Sequence, residues 1–261
     1  MNQLETDPEK QELERLRAEN LALKKQLRSA AAMISLGELV STTTHEFNNV
    51  LMTVLNYAKL GLRHADAPTR ENAFEKILAA GNRAAKITSS VLGMARNRSP
   101  KPESTDLVQL TEDALFLLER EMSKYRISVI KEFAENVPEV LVCGNQIQQV
   151  LLNLLINARQ AMTNGGDLLV RIQFDPQANM VDLSVRDFGT GIPPEILPHI
   201  FEPFFSTKTG PDDSGKGGTG LGLSMSREII EEHRGRIQVK SSVGKGTQFT
   251  LKLPLAPKDL E

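Results

Sequence analysis

The chain has 261 residues, of which 40% are apolar and 25% charged, and its formal charge is −2 at pH 7. This length fits one large domain or two smaller ones and excludes a minimal disulfide-stapled module. The balance of 31 basic and 33 acidic residues gives no electrostatic reason to expect nucleic acid or an anionic membrane as the main partner. A single cysteine, Cys143, cannot form an internal disulfide, and no apolar run approaches the roughly 20 residues that cross a bilayer. We therefore expect a cytoplasmic protein without a membrane span.

The N-terminal residues 1–30 carry a heptad pattern. Apolar side chains alternate at spacings of three and four from Leu13 to Ala30, with charges on either side. The polar seam residue Asn20 would fix the register of a parallel coiled coil by pairing with its copy. An exposed single helix remains the alternative, because the seam is short.

Residues 31–98 predict a helical hairpin. One apolar series runs from Met33 to Val54 at helical spacing, a loop around ADAPT (65–69) follows, and a second series begins at Phe74. The second series consists of Phe74, Ile77, Gly81, Ala84, Thr88, Val91 and Ala95. One hairpin has too little interior to fold alone, so we expect two copies to pair into a dimeric four-helix bundle.

A polar, proline-containing stretch at residues 97–105 separates the hairpin from a mixed pattern, and the second domain is expected to span 99–261. Helices are predicted at 107–122, 145–162 and 224–235, and strands at 127–133, 167–174, 180–188, 236–242 and 247–254. Helices on one face of a mostly antiparallel sheet make an α/β sandwich of the α+β class.

Glycines cluster in two places in this second domain, DFGTG at 187–191 and SGKGGTGLGL at 214–223. Glycine lets backbone amides approach phosphate oxygens closely, and a helix that follows offers unpaired N–H groups. Neither cluster has the P-loop spacing, and the dinucleotide motif is weak on its own. An ordinary tight turn is the alternative for the first cluster. Together the two clusters indicate a nucleotide site.

Two asparagines stand four residues apart, and therefore on one face, of an otherwise apolar predicted helix. An amide oxygen is a suitable ligand for Mg²⁺, which also shares phosphate oxygens. We favour Asn157 as the magnesium ligand. For Asn153, ligation and a buried hydrogen bond are equal alternatives.

Four segments, NLLINA, DFGTG, FEPFFSTK and GTGLGL, follow one another along the chain. The series closely resembles the N, G1, F and G2 boxes of histidine-kinase ATP-binding domains, and TTTHEFNN, ending at Asn49, resembles their H box. The set is similar to the catalytic core of a two-component sensor histidine kinase. The resemblance implies a Bergerat-type ATP-binding sandwich, ATP and Mg²⁺ as cofactors, a homodimer, and a response regulator receiver domain whose aspartate accepts the phosphoryl group.

The heptad spacing gives an independent argument about His45. With Val40 and Phe47 at interior positions, His45 points away from the bundle axis, as a phosphoacceptor must. The resemblance implies that His45 is phosphorylated, that Glu46 is the general base, and that Asn49 helps to dephosphorylate the regulator. Asn48 is the alternative to Asn49. The sequence departs from the commonest H box by having valine instead of proline at position 50.

The resemblance also assigns residues to the nucleotide. It implies that Asp187 accepts the adenine amino group, that Gly189 and Gly191 let the backbone pass the ring, and that Lys208 meets phosphate. The full set of residues that it implies for cofactor binding is Asn153, Asn157, Asp187, Gly189, Gly191, Lys208, Gly218, Gly220 and Gly222. Whether Arg159 and Gln160 also approach phosphate is left open. The remaining histidines, His64, His199 and His233, are expected to be structural, with His233 a cation at a helix end.

Two other functions compete with phosphotransfer to histidine. Other members of the same ATPase superfamily hydrolyse ATP to drive a clamp or phosphorylate serine, and a dimeric scaffold could hold nucleotide without turnover. An exposed histidine followed by glutamate on a dimerising hairpin distinguishes the histidine kinase from the first group. The presence of every expected polar residue disfavours the scaffold.

Overall fold

The structure is a computed structural model, which describes residues 11–17, 19–20, 47–64, 66–95, 101–207 and 220–256. Residues 11–17 and 19–20 are helical, which both the predicted coiled coil and the alternative of an exposed single helix require. The rest of that coil and its junction with the hairpin lie outside the described residues. Four predicted site residues lie outside them too, namely His45, Glu46, Lys208 and Gly218.

The predicted hairpin forms. Helix α1 spans residues 47–63, and helix α2 spans Ala67–Ala95. The connection is shorter than the loop expected at 65–69, because Pro68 lies in the first turn of α2, where its missing N–H removes no helical hydrogen bond. The Asp66 carboxylate accepts a hydrogen bond from the N–H of Thr69 at 2.9 Å and caps the helix.

The buried face of α2 matches the predicted stripe only in part, with Ile77 and Ala84 half-buried at predicted positions. Ala73, Ala80 and Ile87 are buried, each one residue before a predicted interior position, whereas Phe74 is 68% exposed. Small side chains allow α1 to approach closely, and a Cβ atom built on Gly61 would lie 3.5 Å from that of Ala73. The prediction from periodicity favoured large apolar residues, so it did not identify the contact between α1 and the buried alanines of α2.

Large apolar side chains remain exposed on the single hairpin. Phe47, Leu51 and Leu55 recur at a spacing of four on α1 and are 40–51% exposed. Phe74 and Leu78 continue this exposure on α2. Contiguous apolar surface of this kind is typical of an interaction face.

The hairpin contacts the sandwich in the region around Phe116 of α3. Phe116 packs against the hairpin core around Val50 and Ile87. The Arg83 guanidinium of α2 lies 5.1 Å from the centre of the Phe116 ring and 3.1 Å from the Glu119 carboxylate. Because the ion pair is largely exposed, the apolar contact is the larger contributor to this interface.

The second domain is the predicted sandwich, with helices on one face of a mixed sheet. Its five-stranded sheet has the order β2-β4-β5-β7-β6, in which β2 and β4 are parallel and all other pairs antiparallel. In chain order its elements are β1 (Glu103–Thr105), α3 (Leu107–Lys124), β2 (Ile127–Phe133), β3 (Val140–Val142), α4 (Gly144–Ala161), β4 (Gly166–Asp175), β5 (Met180–Asp187), α5 (Gly222–Glu232), β6 (Arg236–Ser242) and β7 (Gly246–Pro254).

Two short strands were not expected. Strands β1 and β3 pair with each other in antiparallel register, from Glu103 opposite Val142 to Thr105 opposite Val140. Strand β1 therefore occupies the end of the stretch predicted as a linker. Three residues are too few to show an alternating pattern in the sequence.

The core lies between the helices and one face of the sheet. Alternate residues of the central strands are buried, as a sheet with one covered face requires. These residues are Leu168, Val170 and Ile172 on β4, Val181, Leu183 and Val185 on β5, and Phe249, Leu251 and Leu253 on β7. The opposite face is polar, and there Lys252 donates hydrogen bonds to Asp182 at 2.8 and 2.9 Å.

His233 does not act as the expected cation at the end of α5. It is buried, and its Nδ1 lies 2.7 Å from the carbonyl oxygen of Ile229. Its Nε2 accepts a hydrogen bond from the N–H of Cys143 at 2.9 Å. An accepting Nε2 carries no proton, so the ring is neutral and links the end of α5 to the start of α4.

Among the helices of the described residues, none combines the length and the apolar character that spanning a bilayer requires.

One buried hydroxyl in α3 provides a test of this packing. Thr111 is fully buried, and its Oγ1 has no hydrogen-bond partner among the described residues. We expect Thr111→Val to raise the free energy of unfolding by about 1 kcal/mol, because valine keeps the shape and removes an unsatisfied polar atom. Urea denaturation measures the change.

The matched control is Thr105→Val, at a residue whose hydroxyl donates to the carbonyl oxygen of Glu103 at 3.1 Å or to that of Val142 at 3.3 Å. This control should lower the free energy of unfolding by about 1 kcal/mol. A lower stability of Thr111→Val would contradict the assignment of Oγ1 as unsatisfied.

Candidate functional site

A cavity of about 370 Å³ opens between α4, α5 and the loops that follow β5. It brings together predicted site residues that are far apart in the sequence. These residues are Asn153, Asn157, Asp187, Gly191, Gly220 and Gly222. The cavity also has an apolar wall made by Ile156, Ile192, Ile196, Ile200, Phe205 and Phe249. The cavity therefore combines an apolar lining with a few polar groups, which is typical of sites that bind small molecules.

The two asparagines project from α4 into this cavity. Their spacing of four residues puts both side chains on the same face of the helix. The Asn153 amide nitrogen donates a hydrogen bond to the Ser226 hydroxyl oxygen at 3.0 Å. For Asn157, no hydrogen bond is made within the described residues, which leaves its amide oxygen available to a ligand.

Asp187 ends β5 and is 3% exposed. One oxygen of its carboxylate, Oδ1, accepts hydrogen bonds from the N–H groups of Gly189 at 3.0 Å and Thr247 at 3.1 Å. Burial raises the pKa of the Asp187 carboxyl above its ordinary value, against the opposing effect of these hydrogen bonds and of Arg186. Asp187 lines the cavity, and its second oxygen makes no hydrogen bond within the described residues.

Two glycines of the cavity wall, Gly191 and Gly222, illustrate positions where neighbouring atoms leave no space for a Cβ atom. Gly191 has φ +71°, and a Cβ atom there would lie 2.1 Å from the carbonyl oxygen of Ser242. A Cβ atom on Gly222 would lie 2.3 Å from the Asn153 amide oxygen. Gly189 does not line the cavity and packs against the end of α4 at Ala161. Gly189 therefore affects the site by positioning the loop that follows β5.

Thr247 is a cavity residue that the sequence analysis missed. It follows the glycine turn VGKG, which was interpreted only as a hairpin. Its buried hydroxyl lies 2.9 Å from that of Ser241, and the Ser241 hydroxyl oxygen also accepts a hydrogen bond from the N–H of Ile192 at 2.8 Å. The turn between β6 and β7 is thereby joined to the loop after β5. A glycine pair followed by threonine was the available signal.

Arg159 and Gln160 differ in their position relative to the cavity. Gln160 lines the cavity. The Arg159 guanidinium lies 4.7 Å from the centre of the Tyr125 ring and 3.6 Å from the Glu121 carboxylate, and the residue is not part of the cavity wall. An arginine held by a carboxylate and an aromatic ring serves packing between α3 and α4.

Asn49 lies on α1 and is exposed, as is Asn48. Neither residue belongs to the cavity. The structure therefore leaves the choice between the two asparagines open. His45 and Glu46, which precede them, lie outside the described residues.

Comparison with known families matches both halves of the chain. Residues 144–257 match "Histidine kinase-, DNA gyrase B-, and HSP90-like ATPase", and residues 35–100 match "His Kinase A (phospho-acceptor) domain". The first match contains the whole cavity up to Phe249. The second contains the described hairpin.

Curated relatives are sensor kinases. The chain is 36% identical to sensor kinase CckA of Brucella abortus (strain 2308) over 250 residues, covering 90% of the chain and 26% of the relative. It is 31% identical to the signal transduction histidine-protein kinase AtoS of Escherichia coli (strain K12), covering 90% of the chain and 37% of the relative. The chain thus spans about a quarter and about a third of the length of these two proteins.

Solved structures show the same architecture. The catalytic domain of the histidine kinase ThkA is 32% identical, with a TM-score of 0.52 over 59% of this chain and 98% of that chain. ThkA in complex with the response regulator protein TrrA is 26% identical, with a TM-score of 0.51 over 98% of this chain and 69% of that chain. With both domains matched in the order that the sequence predicted, the chain belongs to the two-component sensor histidine kinases.

Proposed function

We propose that this chain is an ATP:protein-histidine phosphotransferase, which transfers the γ-phosphoryl group of ATP to His45 and then to an aspartate of a response regulator. The observation that carries the proposal is the cavity in which Asn153, Asn157 and Asp187 meet beside the start of α5. This arrangement supports binding of adenine at one end and of phosphate with a cation at the other. The paired phosphoacceptor and ATPase family matches support histidine as the acceptor.

Asp187 is proposed to select the base. Its Oδ1 is occupied by two backbone N–H groups, so Oδ2 is the atom that can accept from an adenine amino group. Burial makes this acceptor selective, because an unpaired donor or acceptor in a dry site is costly. The nearby apolar wall, which includes Ile192 and Phe249, provides a surface for the ring.

The phosphate end is proposed to lie between α4 and the start of α5. The Asn157 amide oxygen would hold the Mg²⁺ ion, and the N–H groups at the start of α5, near Gly220 and Gly222, are placed to bind phosphate oxygens. The bound ion would neutralise phosphate charge during transfer. Lys208 and Gly218, which the family resemblance assigns to the same nucleotide, are proposed to complete this end.

Phosphoryl transfer is proposed to proceed by attack of a His45 ring nitrogen on the γ-phosphorus. The N–P bond forms as the bond to the β,γ-bridging oxygen breaks, and ADP leaves. Glu46 accepts the proton from the other ring nitrogen, so that the attacking nitrogen keeps its lone pair. Positioning and charge neutralisation supply most of the rate in such reactions.

Transfer to a regulator is supported by the exposure of the hairpin surface around Asn49. Asn49 is four residues from His45, so on a continuous helix both occupy one stripe. We propose that Asn49 orients water against the phosphorylated aspartate of the regulator. The solved complex of a related kinase with its response regulator supports a receiver domain as the partner.

A homodimer is proposed from the uncovered face of the hairpin. Phe47, Leu51 and Leu55 on α1 and Phe74 and Leu78 on α2 are largely exposed in the single chain. A second hairpin packed on this face would bury them in a four-helix bundle. The corresponding division of the chain is a coiled coil at 1–30, a dimerisation and phosphotransfer domain at 31–98 and a catalytic domain at 99–261.

Replacing Asp187 by asparagine should weaken nucleotide binding without preventing folding. The asparagine oxygen can keep both backbone hydrogen bonds, while its NH₂ group replaces Oδ2 and meets the adenine amino group as a second donor. We expect the affinity for ADP to fall at least about ten-fold, or about 1.4 kcal/mol. Calorimetric titration measures the loss. The matched control, Asp167→Asn on the exposed part of β4, should bind ADP as the wild type does.

The same variant tests the cause of the raised pKa. Since the folded-state pKa of Asp187 lies above the unfolded value, its contribution to stability is present at low pH and is lost as the pH rises through the folded pKa. Asparagine does not ionise. The melting temperature of Asp187→Asn relative to the wild type should therefore rise between about pH 4 and about pH 7. A constant or falling difference would show that burial is not the cause.

Removal of the Asn157 amide should weaken only the magnesium-dependent part of nucleotide binding. We expect Asn157→Ala to lose about ten-fold in ADP affinity with Mg²⁺, or about 1.4 kcal/mol, and to equal the wild type in EDTA. Asn145→Ala, at an exposed asparagine on the same helix, is the matched control. Undiminished affinity of Asn157→Ala in Mg²⁺ would reject Asn157 as the ligand.

Incubation with γ-labelled ATP and Mg²⁺ tests the proposed function directly. We expect an acid-labile, alkali-stable phosphoryl group, because phosphohistidine has a P–N bond, and we expect His45→Gln to abolish it. His64→Gln, at the exposed histidine beside the hairpin turn, should retain the label. Label that persists on His45→Gln, or that survives acid, would overturn the proposal.

A further inference from the structure

A chain of hydrogen bonds joins α4 to α5 at the edge of the cavity. The Asn153 Nδ2 group donates to the Ser226 Oγ atom at 3.0 Å, and the Ser226 hydroxyl donates to the carbonyl oxygen of Gly222 at 2.8 Å. Ser226 is 2% exposed. It does not line the cavity, so its hydroxyl can affect a ligand only through the two cavity residues that it contacts, Asn153 and Gly222.

The direction of this chain follows from the single proton of a hydroxyl group. Because Ser226 gives its proton to the Gly222 carbonyl oxygen, its Oγ can only accept from Asn153. An amide turned the other way would place its oxygen against the Ser226 oxygen, with no proton between them. Ser226 therefore determines which atom of the Asn153 amide lies against its hydroxyl group.

The amide oxygen of Asn153 is consequently kept out of the protein's own hydrogen bonding. Within the described residues it accepts no hydrogen bond, although Asn153 lines the cavity. It lies over Gly222, where a Cβ atom would come within 2.3 Å of it. Glycine at this position leaves space for that oxygen.

We propose that Ser226 is a positioning residue, which holds the Asn153 oxygen towards the cation of the bound Mg-nucleotide. This inference rests on the proposed function. It also resolves the alternatives for Asn153, because the nitrogen makes the structural hydrogen bond and the oxygen is left for ligation. An amide free to turn would present N–H donors to a cation for part of the time, which is unfavourable.

The test compares threonine with valine at position 226 in the full chain. The two residues have the same shape, and only threonine keeps a hydroxyl, so differences in packing cancel. We expect Ser226→Thr to bind Mg-ADP within about three-fold of the wild type and Ser226→Val to bind it about ten-fold more weakly than Ser226→Thr. In EDTA the two variants should bind ADP equally. Equal Mg-ADP affinities of the two variants would overturn the proposal.

Two further variants keep the test decisive if the added methyl group is not tolerated. Ser226→Ala should lose about ten-fold in Mg-ADP affinity, and it should have no further effect when Asn153 is also alanine. A further loss in the double variant would assign the effect to the Gly222 contact and overturn the proposal. Ser224→Ala is the matched control, since its hydroxyl bonds to the carbonyl oxygen of Leu221 at 3.0 Å on the same helix. A loss with Ser224→Ala equal to that with Ser226→Ala would overturn the proposal.

A measurement without nucleotide tests the orientation itself. In ¹⁵N spectra, the side-chain NH₂ signals of Asn153, identified by their loss in Asn153→Ala, should be protected from exchange in the wild type and in Ser226→Thr. They should lose this protection in Ser226→Val, and unchanged protection there would overturn the inference. A wild type that binds no adenine nucleotide would instead refute the proposed function, whereas equal binding by threonine and valine refutes only the role of Ser226.

Discussion

The cavity depends on one buried carboxylate. Asp187 lies at the end of β5, and its Oδ1 accepts hydrogen bonds from the N–H groups of Gly189 in the following loop and of Thr247, 60 residues further along the chain at the start of β7. A charged group with 3% exposure is costly to bury, which is why its pKa is raised. The two hydrogen bonds offset part of this cost and join the loop after β5 to the start of β7. A carboxylate kept in this position at a cost to stability is typical of a functional site.

The second constraint is the contact between α4 and α5. Hydrogen bonds among Asn153, Ser226 and Gly222 connect the middle of α4 to the first turns of α5. A second connection is made where α4 begins and α5 ends, because His233 accepts a hydrogen bond from the N–H of Cys143. The two helices that line the cavity are thus joined at two points.

Most elements of the sandwich were predictable because their apolar spacing is regular over many residues. Strand β2 was predicted at its observed bounds, and α3, α4 and α5 within a few residues of theirs. Strands β1 and β3 were missed because three residues show no period. In the hairpin, the predicted interior positions Ile77 and Ala84 of α2 are half-buried, whereas three others were predicted one residue late. At the first of these three, Phe74 is more apolar than Ala73, but close packing against Gly61 selects the alanine.

The sequence by itself determined the family and the order of the two domains, and it indicated candidate site residues, since glycine clusters and paired asparagines are local patterns. Only the tertiary structure decided which partner each polar group has. The N–H of Thr247 donates to Asp187, the Asn153 amide donates to Ser226, and the Arg159 guanidinium lies beside Glu121 and not in the cavity wall. These contacts join residues between 38 and 73 positions apart. Hydrogen bonds over such separations are set by how helices and strands pack, for which no local pattern in the chain provides a signal.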